Sequence, residues 1–129
     1  MIVVDTSVWV AAVREPGASL ARTLRSLIDA DEASLALPVR CELLAGVAKR
    51  DRKAFTRALS ALPVIVPTEG TWDIVGSWIE PAADAGQRFA VTDLLIAALA
   101  RELGGLVWSL DEDFERMASL DLVGLYHHA

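Results

Sequence analysis

The chain opens with Met1-Ile2-Val3-Val4-Asp5, a short apolar run that ends at a carboxylate. β-Branched residues such as Ile and Val favour extended strands. The run lacks the basic region and long apolar stretch of a secretory signal, so we interpret residues 2–4 as a β-strand. Asp5 then lies at the carboxyl end of that strand, which is the edge where ligands bind in parallel sheets.

Further along the chain, strand-like and helix-like segments alternate. Helical periodicity of apolar residues is typical of the longer stretches between the strands. The predicted strands are residues 2–4, 34–37, 64–66, 106–108 and 122–126, and the predicted helices are 18–30, 39–48, 51–62, 71–85 and 92–103.

Local signals mark the predicted helix ends. Pro38 can open the second helix, because proline lacks only an N–H that would be unpaired there. Asp51 and Thr92 are expected to cap helices with their side chains. Pro81 is expected to kink its helix or end it early, and Gly104-Gly105 to end the last long helix.

The alternation predicts an α/β fold, specifically a three-layer α/β/α sandwich with a mainly parallel central sheet. The chain has 129 residues, 53% of them hydrophobic, which fits a single domain over residues 1–129 with a real core. No apolar run approaches the ~18 residues that a membrane span needs. The single cysteine, Cys41, excludes an internal disulfide and fits a cytoplasmic location.

The formal net charge of −6 argues by itself against nucleic-acid binding, because phosphate contacts need basic groups. An acidic chain can still bind RNA when metal ions hold its carboxylates and its basic residues line one rim. The positions of the acids are therefore more informative than their number.

Two further acids lie at the same edge of the predicted sheet as Asp5. Asp111 and Asp113 follow the strand 106–108 within a few residues. Each acid alone is explained as well by a solvated loop or a helix cap.

Two acids lie within predicted helices. Glu42 shares a face with Ala45 and Gly46, so we expect it to be partly buried. Such a carboxylate needs a hydrogen-bond partner such as Arg40 or a backbone amide, or else a metal ion. Asp93 begins the most apolar helix of the chain, where the helix dipole alone favours an acid.

These acids converge from several elements, and like charges at close range repel unless a cation neutralises them. All-oxygen ligands suit Mg²⁺ or Mn²⁺ better than Zn²⁺. His127 and His128 are expected to be frayed tail residues rather than ligands.

Four blocks in this order resemble the PIN domain, and more narrowly the VapC toxins of toxin–antitoxin pairs. The blocks are Val4-Asp5-Thr6-Ser7, Glu42, residues 93–97 (DLLIA) and residues 111–115 (DEDFE). Their spacing covers essentially the whole chain, although no single block is specific.

The resemblance implies a PIN-like fold and Mg²⁺- or Mn²⁺-dependent endoribonuclease activity. It also implies a VapB-like antitoxin that blocks the site, and a homodimer. By motif, Asp5, Glu42, Asp93 and Asp111 would form the catalytic acidic ring, with Asp113 as a further metal ligand. Thr6, Ser7 and Ser109 would support the site. Leu110 departs from the family, which more often has a basic or polar residue there; this affects substrate choice more than chemistry.

Substrate contacts are expected from basic residues around the site. Locally, residues 49–53 are basic, although a solvated connection between helices explains them as well. Trp9 and Trp72 could stack on bases, but we expect them in the core or in antitoxin or dimer interfaces. The candidate RNA-binding residues are Arg14, Arg40, Lys49, Arg50, Arg52, Lys53 and Arg88.

The chemistry that fits these residues is metal-assisted phosphodiester hydrolysis, with Asp93 or Asp113 orienting or deprotonating the attacking water. An aspartyl-phosphate phosphatase is disfavoured because Ser7 stands where a second Asp is needed. A Rossmann dinucleotide site needs a glycine-rich turn, which residues 5–8 lack. The main alternative is a non-catalytic partner of an antitoxin in an operator-binding repressor complex.

Overall fold

Four short parallel strands form the centre of the computed structural model, which describes residues 1–128. They are β1 (Ile2–Val4), β2 (Ala33–Ala36), β3 (Val64–Ile65) and β4 (Leu106–Trp108), arranged in the order β3-β2-β1-β4. β1 is central and pairs with both neighbours, through Ile2 with Ala33 on one side and with Leu106 on the other. The predicted α/β architecture with a parallel sheet is confirmed.

Helices cover the sheet, and the central strands are buried because of them. Val3 and Val4 are fully buried in β1, as is Val107 in β4. Every residue from 94 to 100 is 6% exposed or less, which confirms that this apolar helix is central. The helices are α1 (Thr6–Arg14), α2 (Ser19–Asp29), α3 (Leu37–Gly46), α4 (Arg52–Ser60), α5 (Glu69–Asp84), α6 (Val91–Glu102) and α7 (Glu112–Ser119).

The strand order determines where a ligand site can form. The chain passes from β1 to β2 to β3 in one direction and then returns to place β4 on the other side of β1. The direction of winding therefore reverses between β1 and β4. In open parallel sheets the crevice beyond the carboxyl ends of such a pair is the usual ligand site. Asp5 follows β1 and Ser109 follows β4, so both lie at this crevice.

The predicted strand at 122–126 is wrong. Within residues 1–128, this segment forms only an isolated bridge between Val107 and Leu125. Gly124 explains part of the difference, because a Cβ there would lie 2.8 Å from the side chain of Leu106. Conversely, α1 occupies residues for which no helix was delimited from the sequence.

Several helix ends also differ from the prediction. The Asp51 side chain caps nothing; a short 3-10 helix, Lys49–Asp51, precedes α4 instead. Ala90 occupies the N-cap position of α6 without a side-chain hydrogen bond, and Thr92 lies inside the helix. Pro81 does not end its helix early, since α5 continues to Asp84. Proline has no N–H, so the helix lacks one hydrogen bond at this position.

The predicted helix start at Pro38 and the predicted helix end at Gly104-Gly105 are confirmed. Pro38 lies in the first turn of α3. α6 ends before Gly104, whose φ of 69° is the left-handed conformation that glycine adopts freely. Gly105 is required by close approach, because a Cβ there would lie 2.8 Å from the Met1 carbonyl oxygen. No helix in residues 1–128 is long and apolar enough to cross a membrane.

Candidate metal centre

Three carboxylates converge at the carboxyl edge of the sheet. Asp93 lies in the first turn of α6, Asp111 caps α7, and Asp113 lies in the first turn of α7. One carboxylate oxygen from each lies within 4.8 Å of the other two. The sequence predicted that these acids would converge. In the structure they lie close enough together to bind one ion.

The turn between β4 and α7 is held by hydrogen bonds from its own side chains. The Asp111 carboxylate accepts from the Asp113 backbone N–H at 2.9 Å, as a helix cap does. The Asp111 backbone N–H in turn donates to the Ser109 hydroxyl at 3.0 Å. Because of these bonds, Asp111 and Asp113 project from a turn of defined geometry.

Asp5 lies beside this group and is the most restrained acid of the site. It is 6% exposed, and its Oδ2 accepts from the Ser7 hydroxyl at 2.7 Å and the Ser109 hydroxyl at 2.8 Å. The Leu110 backbone N–H donates to the Ser7 hydroxyl at 3.0 Å. These contacts link the end of β1 to the end of β4, and those made by the Asp5 side chain use its Oδ2 atom.

Glu42 is placed differently from its prediction. It is exposed rather than partly buried, and neither Arg40 nor a backbone amide is its partner. The Thr6 hydroxyl donates to Glu42 Oε1 at 3.2 Å, which connects α3 to the start of α1. The small residues beside Glu42 do not enclose it, because Ala45 and Gly46 face solvent as well.

The acids act on one another electrostatically. Burial has the largest effect, followed by the charges of Asp5, Asp111 and Glu42, and together they raise the pKa of Asp93 from its ordinary value of 3.8 to about 6. Thus Asp5 and Glu42 lie outside the group of three but close enough to repel a charge on Asp93. A divalent cation would relieve this repulsion.

One functional neighbour was missed from the sequence. Arg116 forms an ion pair with the Asp113 carboxylate one turn away in α7. The spacing of three residues between an acid and an arginine, about one helical turn, was a usable signal. The pair neutralises part of the charge of Asp113, which makes it a weaker candidate ligand than Asp93 or Asp111.

The predicted basic rim is distributed over several elements. Most of its members are exposed, and Arg14 borders an apolar groove that Glu42 also lines. Arg40 is partly buried, and its Nε has no hydrogen-bond partner within residues 1–128. Arg50 contacts Asp51 at 3.7 Å. The exposed members are Arg14, Lys49, Arg50, Arg52, Lys53 and Arg88.

The structure places Trp9, Trp72 and His128 in different surroundings. Trp9 is 8% exposed and donates its indole N–H to the Val4 carbonyl at 3.1 Å, so it is a core residue rather than a base platform. Trp72 is 49% exposed. The prediction of a frayed tail is wrong for His128, whose ring contacts hydroxyls of Ser19 and Thr23 on α2.

The donor set fits a hard divalent cation. Asp93, Asp111 and Asp113 offer only oxygen atoms, which Mg²⁺ and Mn²⁺ prefer. The pKa of Asp93 is the second indication, since it is raised first by burial and then by the negative charges of Asp5, Asp111 and Glu42, which a cation would offset.

A sequence comparison with protein families agrees with this geometry. The model of the PIN domain matches residues 2–120.

The chain belongs to the PIN-domain family.

Two named relatives within the PIN family are similar along almost the whole chain. The Ribonuclease VapC11 of Mycobacterium tuberculosis is 30% identical over 125 residues, which cover 93% of each chain. The VapC ribonuclease Mb1587 of Mycobacterium bovis shows the same identity and coverage.

Solved PIN-domain structures share the fold at lower identity. In VapBC2 from Rickettsia felis, bound to a DNA fragment from its promoter, a chain superposes with a TM-score of 0.81 at 21% identity over 98% of both chains. In DNA-bound VapBC from Salmonella typhimurium, the TM-score is 0.82 at 17% identity over 99% of this chain and 98% of that chain.

Proposed function

We propose that this PIN domain is an endoribonuclease that hydrolyses RNA phosphodiesters at a carboxylate-bound Mg²⁺ or Mn²⁺, and that it is the toxin of a toxin–antitoxin pair. The observation that carries the proposal is the group of three carboxylates within 4.8 Å of one another, beyond β1 and β4. The ribonuclease names of relatives 30% identical over 93% of this chain support the reaction class.

Asp93, Asp111 and Asp113 would hold the metal ion. Asp5 and Glu42 would complete the acidic ring as further ligands. When bound, the ion would lower the pKa of a bound water and stabilise negative charge on the scissile phosphate. We assign Asp5, Glu42, Asp93 and Asp111 as catalytic.

The residues of the chain have separate roles in this scheme. Ser7 and Ser109 hold Asp5 Oδ2 and so direct the rest of that carboxylate. Asp93 or Asp113 would orient the attacking water or take a proton from it. In-line attack on phosphorus would leave a 5′-phosphate and a 3′-hydroxyl.

RNA would reach the acids along the exposed basic residues. Arg14 and the basic run of the 3-10 helix and α4 lie on elements adjacent to Glu42, so they can contact phosphates flanking the cut. α5 offers the opposite character, because it carries four acids and no basic residue. RNA is therefore expected to avoid α5.

The antitoxin would bind in an apolar groove between α1, α3 and α4. Val10, Leu43, Val47 and Phe55 line it, and Glu42 stands at its border. An apolar segment seated there can extend an arginine to the acidic ring by charge-assisted hydrogen bonds. Among the solved structures that share this fold, one is named as a toxin–antitoxin complex and one as a member of the VapBC family of toxin–antitoxin systems, which supports such a partner.

A homodimer would use the exposed apolar face of α5. Trp72 is 49% and Ile79 52% exposed, and Gly76 and Ala83 continue the same stripe at helical spacing. At Gly76 an added Cβ would meet nothing within 4 Å, so a second helix can approach the backbone closely.

The exposed free thiol of Cys41 fits a reducing compartment, and we place the protein in the cytoplasm.

The deciding experiment is cleavage of total cellular RNA by the purified chain, with Mg²⁺ or Mn²⁺ and with EDTA. The test variant is the double substitution Asp5→Asn/Asp93→Asn, and the control is Asp29→Asn, which changes an exposed acid at the end of α2. We expect discrete metal-dependent products from the wild type and the control and none from the double variant.

Equal cutting by the double variant and the wild type would reveal a contaminating nuclease and would contradict the proposal. Absence of cutting by the wild type, together with absence of metal binding in calorimetry, would favour the alternative function. In that alternative the chain is a non-catalytic partner in an operator-binding complex. The DNA-bound VapBC structures that share this fold are the observation that favours it.

A further inference from the structure

The last residues of the chain form a strap across β4, which we call the C-terminal strap (residues 122–128). The Val107 backbone N–H donates to the Gly124 carbonyl at 3.0 Å, and the Tyr126 N–H donates to the Val107 carbonyl at 2.8 Å. Leu122 and Val123 are 9% and 5% exposed, so the start of the strap is part of the core. The strap therefore follows β4 towards the edge of the sheet where the acids lie.

The end of the strap is attached at the carboxyl end of β4 by His128. Its two ring nitrogens lie 2.9 Å from the Ser19 hydroxyl and 3.0 Å from the Thr23 hydroxyl, both on α2. Hydroxyls donate and accept, so both nitrogens are satisfied in either tautomer. The His128 ring also packs on Trp108 with 5.7 Å between centroids, and Tyr126 meets Trp108 edge-on at 5.2 Å.

Trp108 in turn connects to the candidate site. It is 2% exposed, and its carbonyl accepts from the Asp5 backbone N–H at 2.9 Å. The next residue, Ser109, donates its hydroxyl to Asp5 Oδ2 at 2.8 Å. The backbone of Asp5 is thus bonded to Trp108, which the strap contacts, and its side chain to Ser109, the residue that follows Trp108.

We propose that His128 is a positioning residue: by bridging Trp108 to α2, it restrains the end of β4 and so sets the position of Ser109 and the orientation of the Asp5 carboxylate. The inference rests on the proposed function only for its catalytic consequence. Its structural part, that His128 restrains the end of β4, is independent of any metal ion. Small misplacement of a catalytic group is costly, and a loss of 1 Å in position can reduce the rate by about a hundredfold.

The test compares three variants with the wild type. His128→Ala removes the ring and both hydrogen bonds, whereas His128→Gln keeps a donor and an acceptor for Ser19 and Thr23. Ser26→Ala is the matched control. Ser26 is an exposed residue on α2 with a hydroxyl, and His128 bonds to Ser19 and Thr23 instead. Leu59→Ala is a second control. It removes a buried side chain of α4 and so destabilises the fold at a position outside the strap.

The readouts are amide hydrogen exchange over residues 105–111, Mn²⁺ affinity by calorimetry, and kcat and KM for RNA cleavage. For His128→Ala we expect faster exchange at β4, Mn²⁺ affinity weakened about tenfold and kcat lowered with little change in KM, as misplacement of one ligand produces. His128→Gln should recover most of each loss. Ser26→Ala and Leu59→Ala should leave affinity and kcat of the folded protein unchanged.

The outcomes separate the two proposals. Unchanged exchange at residues 105–111 in His128→Ala would overturn the inference even if the wild type is an active nuclease. Equal loss of Mn²⁺ affinity in Leu59→Ala would also overturn it, because the effect would then follow stability alone. A wild type that neither binds Mn²⁺ nor cleaves RNA would refute the proposed function, and the exchange measurement would still test the strap.

Discussion

Asp93 shows how a single side chain reports on its surroundings. As a first-turn residue of α6 it gains from the helix dipole, which favours its ionised form. Burial and the charges of Asp5, Asp111 and Glu42 act in the opposite direction and outweigh the dipole, since they raise the pKa of Asp93 to about 6. A side chain placed there only to cap a helix would gain nothing from this arrangement, whereas a metal ligand would.

The raised pKa predicts how the stability of the metal-free protein depends on pH. Folded Asp93 keeps its proton up to about pH 6, whereas the unfolded chain releases it near 3.8. The folded state therefore binds more protons in this window, and stability should fall as the pH rises through it and then level off. Asp93→Asn should remove this part of the slope and unfold at a higher temperature than the wild type at neutral pH.

The measurement is thermal unfolding in EDTA across this pH range, compared between the wild type and Asp93→Asn. Asp29→Asn controls for loss of a carboxylate outside the site. The difference between wild type and Asp93→Asn should grow as the pH rises; a constant difference, or one that shrinks, would contradict the assigned environment of Asp93.

At the same scale, the sequence indicated which acids matter but not how they are held. Asp5, Asp111 and Asp113 were identifiable because each follows a recognisable strand. The contact of Ser109 with Asp5 joins residues 104 apart in the chain, and no local pattern encodes such a separation. The burial of Glu42 was misjudged because helical spacing gives the face of a side chain but not the depth of what covers it.

Among the elements, α5 shows what a cap contributes. Thr71 is fully buried and donates its hydroxyl to Glu102 Oε1 at 2.6 Å, and it accepts from the Thr68 backbone N–H at 3.0 Å. Thr68 reciprocates by accepting from the Thr71 N–H, which completes a capping box. The hydroxyl of Thr71 thus ties the start of α5 to the end of α6.

Replacing Thr71 by Val keeps the shape but removes both hydrogen bonds and leaves the Thr68 N–H without its partner. We expect the free energy of unfolding to fall by about 1–3 kcal/mol, measured by urea denaturation. Ser77→Ala is the control on the same helix, because its hydroxyl bonds only to the Ile74 carbonyl one turn back. A loss in Ser77→Ala as large as in Thr71→Val would mean that α5 tolerates no change, rather than that the cap matters.

The element boundaries also show where sequence patterns lose force. The strands with branched apolar residues were recovered at 2–4 and 106–108, since little else suits such runs. Residues 122–126 have a similar composition but lie at the sheet edge beside β4, where Gly124 contacts Leu106 and only one bridge forms. Pairing partners, rather than propensity, decide such a segment.

For the whole molecule, strand order and charge distribution act together. The order β3-β2-β1-β4 brings the acids of β1 and β4 to one crevice, and α3 and α6 add theirs from either side. A net charge of −6 is compatible with the proposed RNA substrate, because the acids gathered at the site are available to a cation. The acids of α5 lie outside this crevice, and under the proposed function they would repel RNA from a face whose exposed side chains include Trp72 and Ile79.

The last prediction follows from that face. If α5 forms the homodimer interface, a charge in the middle of its apolar stripe should separate the protomers, because burying an unpaired carboxylate is costly. We expect Trp72→Glu and Ile79→Glu to sediment as monomers at concentrations at which the wild type is a dimer. Val13→Glu introduces the same charge at a residue that is 59% exposed and lines the groove on α1, so it should leave the dimer intact while weakening antitoxin binding. Dissociation by Val13→Glu but not by the α5 variants would move the interface to the groove and leave the antitoxin without its proposed site.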